Sequence, residues 1–354
     1  MRLAPRALAA VAGGNRLTAA HLYDAWAGTG YRRGEYAQLA DAPFALGNAV
    51  AALDRIGRPV LIGGQKSNAE GGTVVATIHR YDGSAWPALP WGLPSPVMNA
   101  AICRLADGSW LITGGMLTSA YNSTPNPSAW RLTLGAVPSL TTLAQPPVAR
   151  RSHTLVRSPA TGLVYAIGGF NNVTEQVLSS VDVYNPDTNA WSAGPALPTG
   201  RWTHASCVLA DGRVLTVGGV PGVSGGADSR AYALNPSTGV WSEVASAPAP
   251  IRNAVLLPLA DGRAALFHGG NNPSGAWATW VTSWRIYDPT ANVWATVTPA
   301  VAAPVVKYAA AVVRAAGGVF ALAGSDGTPG TSYVGASKSA YAYAPLDYPL
   351  YRPE

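Results

Sequence analysis

A short apolar run that ends in a glycine doublet recurs along this chain about every fifty residues. The last glycines of six such runs, and of a seventh run with a single glycine, are Gly14, Gly64, Gly115, Gly169, Gly219, Gly270 and Gly324. Successive members lie 50, 51, 54, 50, 51 and 54 residues apart. A fixed period of this length is typical of repeat architectures, in which each unit packs only on its neighbours. We therefore expect seven equivalent structural units.

Each repeat has room for four strands separated by turns. An aromatic residue, a polar turn and a tryptophan follow the doublet, as in Tyr184 to Trp191 and Tyr287 to Trp294. A proline-rich link, a second apolar run and a hairpin turn such as ADGR then lead to the next doublet. A single four-stranded sheet leaves its apolar faces uncovered, but sheets packed face to face around an axis cover them. The pattern predicts an all-β propeller.

These features resemble the kelch family, whose repeat combines an apolar run, Gly-Gly, a spaced tyrosine and a spaced tryptophan. The resemblance covers residues from about 7 to 345 and is strongest in the repeats that end at Gly169, Gly219 and Gly270. It implies one domain over 1–354 with seven four-stranded blades, the ring being closed by the N- and C-terminal segments. Six blades plus an N-terminal hairpin is the alternative, because the first and last repeats depart from the pattern.

The composition indicates a folded chain and excludes some partners. Hydrophobic residues make up 48% of the chain, enough to form a core, and the net charge is +6. The basic residues form no run, so we expect no nucleic-acid partner. No apolar stretch approaches the ~18 residues of a membrane-spanning helix. Cys103 and Cys207 lie in apolar strand-like runs, which favours buried free thiols over a disulfide framework.

The first residues, MRLAPRALAAVAGG, imitate a secretion signal, but their apolar segment ALAAVA is too short for one. We therefore expect no signal peptide and a cytoplasmic protein, or one carried in an assembly such as a phage tail. The alanine-rich, lysine-poor composition favours a bacterial or phage origin.

The residues just before each inner strand are the best candidates for a binding site. Aligned across the repeats, this segment brings cations, an indole and amides to one mouth of the central channel. The predicted ligand-binding residues are Arg150, Arg151, Arg201, Trp202, Arg252, Lys307, Asn99 and Asn253. Such a mouth suits a carboxylate, phosphate or sugar-acid group. In the alternative, the arginines bond backbone carbonyls of neighbouring blades and brace the ring.

Two further sets of residues belong to the same region of the repeat. His153 and His204 occupy a column that otherwise holds only alanine, which predicts a packing role. The loops after the doublets carry Tyr121 and Asn122 in one repeat, and Trp277 and Trp280 in another. Exposed aromatic residues there would contact a glycan or a protein partner.

A catalytic role finds little support in the sequence. The chain has no G-x-S-x-G or H-E-x-x-H motif, and its five histidines form no ligand-like pair, so we expect no metal and no cofactor. Sialic-acid mutarotases among the kelch-like proteins need only an arginine-bound sugar acid and a proton-transfer group. Glu175 is the best-placed carboxylate for that role, with Glu70 and Asp326 as alternatives.

The favoured hypothesis is non-catalytic recognition, in which the loops bind a protein partner or an anionic glycan. The second hypothesis is a sugar-acid isomerase.

Overall fold

A computed structural model gives the fold of this chain. It describes residues 36–38, 46–66, 71–120, 123–259, 261–267, 269–270, 283–297, 310–313, 319–325 and 336–343. Within these ranges the secondary structure consists of strands. In chain order they are β1 (Tyr36–Gln38), β2 (Leu46–Gly47), β3 (Val50–Leu53), β4 (Pro59–Ile62), β5 (Gln65–Lys66), β6 (Ile78–Arg80), β7 (Ala101–Arg104), β8 (Trp110–Thr113), β9 (Ala129–Thr133), β10 (Ser139–Thr142), β11 (Thr154–Arg157), β12 (Val164–Ile167), β13 (Phe170–Asn171), β14 (Gln176–Val177), β15 (Val181–Asn185), β16 (Ala190–Ala193), β17 (Ala205–Val208), β18 (Val214–Val217), β19 (Ala231–Asn235), β20 (Val240–Val244), β21 (Val255–Pro258), β22 (Ala264–Phe267), β23 (Trp284–Asp288), β24 (Val293–Val297), β25 (Ala310–Val313), β26 (Val319–Ser325) and β27 (Ala336–Tyr343).

The strands form antiparallel sheets that are arranged as the blades of a propeller. Five sheets have four strands each. One contains β7 to β10, and the next contains β11 and β12 with β15 and β16. The third contains β17 to β20, the fourth contains β21 to β24, and the fifth contains β25 to β27 together with β1. A three-stranded sheet contains β3, β4 and β6. The first strands of neighbouring sheets are in contact, so that β3 lies between β25 and β7, and β11 lies between β7 and β17. These inner strands surround the central axis.

The all-β propeller is confirmed, but the prediction of seven blades is wrong. The described residues form five complete four-stranded blades. In the three-stranded sheet, a single bridge between His79 and Ala88 takes the place of an outer strand. The alternative of six blades with an added N-terminal hairpin is also wrong, because β1 pairs with β27 and completes the last blade. One sheet therefore draws on both the first and the last repeat of the sequence.

Three repeats contain a tyrosine–tryptophan pair, and in each the two rings pack together at the outer edge of a blade. The Tyr184 and Trp191 rings lie 4.9 Å apart, and the Trp191 indole Nε1 donates to the Ala144 carbonyl at 2.8 Å. The equivalent Trp294 donates to the Ala245 carbonyl at 2.7 Å. Each indole thus ties an outer strand to the link that follows the preceding blade.

The core lies between neighbouring blades. One apolar cluster, for example, packs Val156 and Val183 of one blade against Val208 and Val214 of the next. Cys103 and Cys207 are free and buried as predicted, and burial raises the pKa of the Cys103 thiol to about 12. Among the described residues we find no helix with the length and apolar character needed to cross a membrane.

Candidate functional site

Five residues that precede the inner strands form a hydrogen-bonded arc around one mouth of the channel. They are Asn48, Asn99, Ser152, Thr203 and Asn253, with φ angles of 57°, 54°, 52°, 57° and 53°. From Asn99 onward, each backbone N–H donates to the carbonyl of the previous member, at 2.8 to 2.9 Å. We call these five residues the mouth arc. It links five consecutive sheets through main-chain atoms alone.

The mouth arc brings two sets of loops to one face of the propeller. Before four of the five arc members, the preceding residue pairs with the residue after a glycine doublet, as in Arg151 with Phe170 and Trp202 with Val220, whereas Arg252 pairs with Gly270, the second glycine of its doublet. The second glycine of a doublet also donates to the link of the next blade, as Gly169 does to the Arg201 carbonyl at 2.8 Å. We call this side the loop face.

Arg151 and Trp202 form a stack beside the mouth arc. The Arg151 guanidinium carbon lies 4.8 Å from the Trp202 ring centre and 4.9 Å from that of Phe170. Arg151 Nε donates to Asn172 Oδ1 at 2.6 Å, and Trp202 Nε1 donates to the Gly222 carbonyl at 3.1 Å. These bonds fix the orientation of both side chains. Trp202 remains partly exposed, whereas Arg151 is mostly buried beside it.

Arg150, the neighbour of Arg151, points into the interior. Its Nη1 donates to the carbonyls of Gly168 at 2.8 Å and Ser180 at 3.0 Å, and its Nη2 pairs with Asp182 at 2.6 Å. The side chain is 1% exposed. Burial lowers the pKa of Arg150, and the Asp182 carboxylate opposes that shift. Arg150 therefore braces the glycine doublet of its own blade.

Arg201 repeats this arrangement in the next blade. It is fully buried, and its Nη1 donates to the carbonyls of Gly218 at 2.9 Å and Arg230 at 3.0 Å. Its guanidinium carbon lies 4.7 Å from the Tyr232 ring centre, and its nearest carboxylate, Asp228, is 3.9 Å away. Arg150 and Arg201, two of the predicted ligand-binding residues, are therefore buried within their blades and donate to backbone carbonyls there.

The structure describes four of the other predicted residues, and the rest lie outside the described ranges. Arg252, Asn99 and Asn253 are partly exposed on the loop face. Glu175 is exposed in the β13–β14 turn, with a φ of 51°. The predicted contacts that lie outside the described residues are Lys307, Tyr121, Asn122, Trp277, Trp280, Glu70 and Asp326.

Several residues of the loop face were not predicted from the sequence. Ser152 and Thr203 stand in the column of Asn99 and Asn253, so the alignment of the repeats contained the signal for them. Phe170 and Asn172 follow a doublet directly, but nothing in their spacing predicts contact with Arg151. In the described part of the chain, no group of three or more His, Cys, Asp or Glu side chains could hold a metal ion.

His153 and His204 are buried between blades, as their alanine-rich column predicts. His204 Nε2 lies 3.0 Å from Thr154 Oγ1, which donates to Ser206 Oγ at 2.8 Å. Burial, followed by the nearby Arg201, lowers the pKa of His204 from 6.5 to about 3. Burial and the nearby Arg150 place the pKa of His153 well below its ordinary value. Both imidazoles are therefore neutral in the folded protein.

We expect these histidines to make stability depend on pH between 7 and 5. The unfolded chain binds protons near the ordinary value of 6.5, whereas folded His204 does so only near 3. Stability is thus fully present above about pH 6.5 and falls below it, by up to about 1.4 kcal/mol per pH unit for each histidine. Urea unfolding at pH 7 and pH 5 measures this loss.

The control is a variant with His153→Ala and His204→Ala, since alanine fills the same column in Ala100 and Ala254. Its stability should change much less between pH 7 and pH 5. An equal loss in the variant and the natural protein would contradict the prediction.

Comparison with known proteins identifies the repeat. The sequence profile of the Kelch motif matches residues 161–198, which run from the β11–β12 turn through β16 into the following link. Human Kelch-like protein 33 is 32% identical over 126 residues, which are 35% of this chain and 22% of that protein. The chain therefore contains a Kelch motif and resembles kelch-repeat proteins over about a third of its length.

A solved structure has a similar propeller fold. The structure of YjhT superposes with a TM-score of 0.64 and 14% sequence identity, covering 84% of this chain and 94% of that one. At this identity the likeness concerns the propeller fold. The human relative is matched over less than a quarter of its own length, so what is known of that protein does not transfer to this chain.

Proposed function

We propose that this propeller is a non-catalytic recognition domain whose loop face binds an anionic glycan or a carboxylate-bearing protein partner. The observation that carries the proposal is the set of unused polar groups on the mouth arc. The side chains of Asn99, Ser152 and Asn253 are partly exposed, and within the described residues they have no hydrogen-bond partner. Partly exposed polar groups on a fixed backbone are suited to orienting a ligand.

The neighbouring side chains define the chemistry of that ligand. Trp202 presents a partly exposed indole, whose flat surface can cover the apolar face of a sugar ring or an aliphatic side chain. Arg151 beside the indole and Arg252 in the same column add positive charge at this side of the mouth. Arginine binds carboxylates with paired hydrogen bonds, which favours an acidic ligand.

A catalytic role gains no comparable support. Glu175, the only carboxylate candidate within the described residues, is solvent-exposed in the β13–β14 turn and forms no ion pair or hydrogen bond with Arg151 or Trp202. Non-catalytic recognition needs no proton-transfer group. The loops of a propeller vary without disturbing the blades, which suits a binding role.

We expect Trp202→Met and Arg151→Met each to weaken ligand binding about tenfold or more. Methionine occupies the same column in Met98, so these changes remove the indole and the cation with little disturbance of the fold. Isothermal titration calorimetry with N-acetylneuraminate, D-glucuronate and a glutamate-rich peptide measures the affinity. D-glucose, which lacks the carboxylate, tests whether binding needs a charged ligand.

Arg213→Met is the matched control. Arg213 pairs with Asp211 in the β17–β18 turn, outside the loop face, and its removal should leave the affinity unchanged. An equal loss in this variant, or no binding of any acidic ligand by the natural protein, would overturn the proposal. Faster anomer exchange of N-acetylneuraminate, abolished by Glu175→Gln, would favour the isomerase instead.

A further inference from the structure

The mouth arc departs from asparagine at two adjacent positions. All five members have φ angles between 52° and 57°, in the left-handed region. Asparagine tolerates this region better than most residues, and it occupies three of the five positions. Ser152 and Thr203 are the exceptions, and the β-branched Thr203 is the residue least suited to its φ of 57°.

The two exceptions coincide with the Arg151–Trp202 stack. Ser152 directly follows Arg151, and Thr203 directly follows Trp202. The Thr203 N–H donates to the Ser152 carbonyl at 2.9 Å, so the two residues are neighbours on the arc. Hydroxyl side chains therefore replace carboxamides only where the arc runs beside the cation and the indole.

Packing does not account for these hydroxyls. Both residues are partly exposed, and within the described residues Ser152 Oγ has no hydrogen-bond partner. Thr203 Oγ1 donates to the Trp202 carbonyl at 2.6 Å, which leaves the oxygen able to accept a bond from a ligand. Asn99 and Asn253 have the same backbone conformation and donate the same type of N–H bond. An unfavourable residue kept at a partly exposed position points to a role outside folding.

We propose that Ser152 and Thr203 are ligand-contact residues that select an anionic sugar. Their hydroxyls bond the sugar hydroxyls, while Trp202 covers the ring and the arginines hold the carboxylate. A hydroxyl both donates and accepts, and it is shorter than a carboxamide, so a sugar ring can approach the arc at these two positions. This inference rests on the proposed recognition function and commits it to a glycan rather than a protein segment.

The test compares Thr203→Asn with Thr203→Ser. Thr203→Asn removes the hydroxyl and relieves the backbone, so we expect the Tm to rise by about 1–3 °C. The same change should weaken the binding of D-glucuronate or N-acetylneuraminate about 5- to 10-fold. Thr203→Ser keeps the hydroxyl, and its affinity should stay within about twofold of the natural protein. Titration calorimetry and thermal unfolding supply both readouts.

Each other outcome has a distinct meaning. Unchanged sugar-acid affinity in Thr203→Asn, or an equal loss in Thr203→Ser, would overturn the inference. A lower Tm for Thr203→Asn would overturn it too, because the residue would then serve the fold. Binding of the glutamate-rich peptide without any sugar acid would overturn this inference and leave the recognition function standing. Binding of neither would overturn both.

Discussion

Replacing Arg150 by alanine is expected to lower the free energy of unfolding by about 3–5 kcal/mol. The change leaves the Asp182 carboxylate buried without its partner at 2.6 Å, and it removes the donor from the Gly168 and Ser180 carbonyls. An uncompensated buried charge is costly because the interior solvates it poorly. Urea unfolding at pH 7 measures the loss.

A double variant separates the ion pair from other effects of the substitution. Apolar residues occupy the Arg150 column in Val97 and Ile251, so Arg150→Ile combined with Asp182→Val should recover most of the lost stability. The exposed pair of Arg213 and Asp211 is the comparison, because Arg213→Ala should cost no more than about 1 kcal/mol. A loss of that small size for Arg150→Ala would show that Arg150 does not brace the blade.

Gly219→Ala should be equally damaging, at about 3–5 kcal/mol. Gly219 has a φ of +86°, and a Cβ atom there would lie 2.7 Å from the Trp202 carbonyl oxygen and 2.8 Å from the His204 Cβ. The backbone of the link cannot withdraw without losing its bonds to the neighbouring blade. Thermal and urea unfolding report the loss, and titration with D-glucuronate shows whether the mouth is disturbed as well.

Gly212→Ala is the matched control for backbone conformation. Gly212 has a nearly identical φ of +84°, but a Cβ atom there would meet nothing within 4 Å. Its substitution should cost only the conformational strain, about 1–2 kcal/mol. Equal losses at Gly212 and Gly219 would contradict the idea that close approach, rather than φ, requires the glycine in the doublet.

The sequence predicted the repeat and its strands but not the number of blades. The doublets and turns recur because every blade needs a tight exit from its second strand and a hairpin after its first. The blade count depends instead on how the chain ends pair, and the β1–β27 register joins Tyr36 to Tyr343 across almost the whole chain. No local pattern contains that information, since strand pairing at long range depends on the closed arrangement of the sheets.

The sequence predicted that the residues before the inner strands share one face, but not which of their side chains are buried. Arg150 and Arg151 are adjacent, yet one is buried in its blade and the other stacks on Trp202. The apolar residues in the Arg150 column, such as Val97 and Ile251, indicate an inward-facing position, whereas the Arg151 column mixes glycine, methionine and tryptophan. Neighbouring side chains in extended backbone point to opposite sides, and the charge of a residue alone does not reveal which side faces solvent.

The main-chain bonds of the mouth arc do not depend on which side chain stands at each position. The four bonds from one member to the next have the same form whether asparagine, serine or threonine supplies the N–H or the carbonyl. Under the proposed recognition function, ligand preference could thus be changed one repeat at a time, and a variant library confined to these codons would diversify the loop face while the blades beneath it keep their architecture.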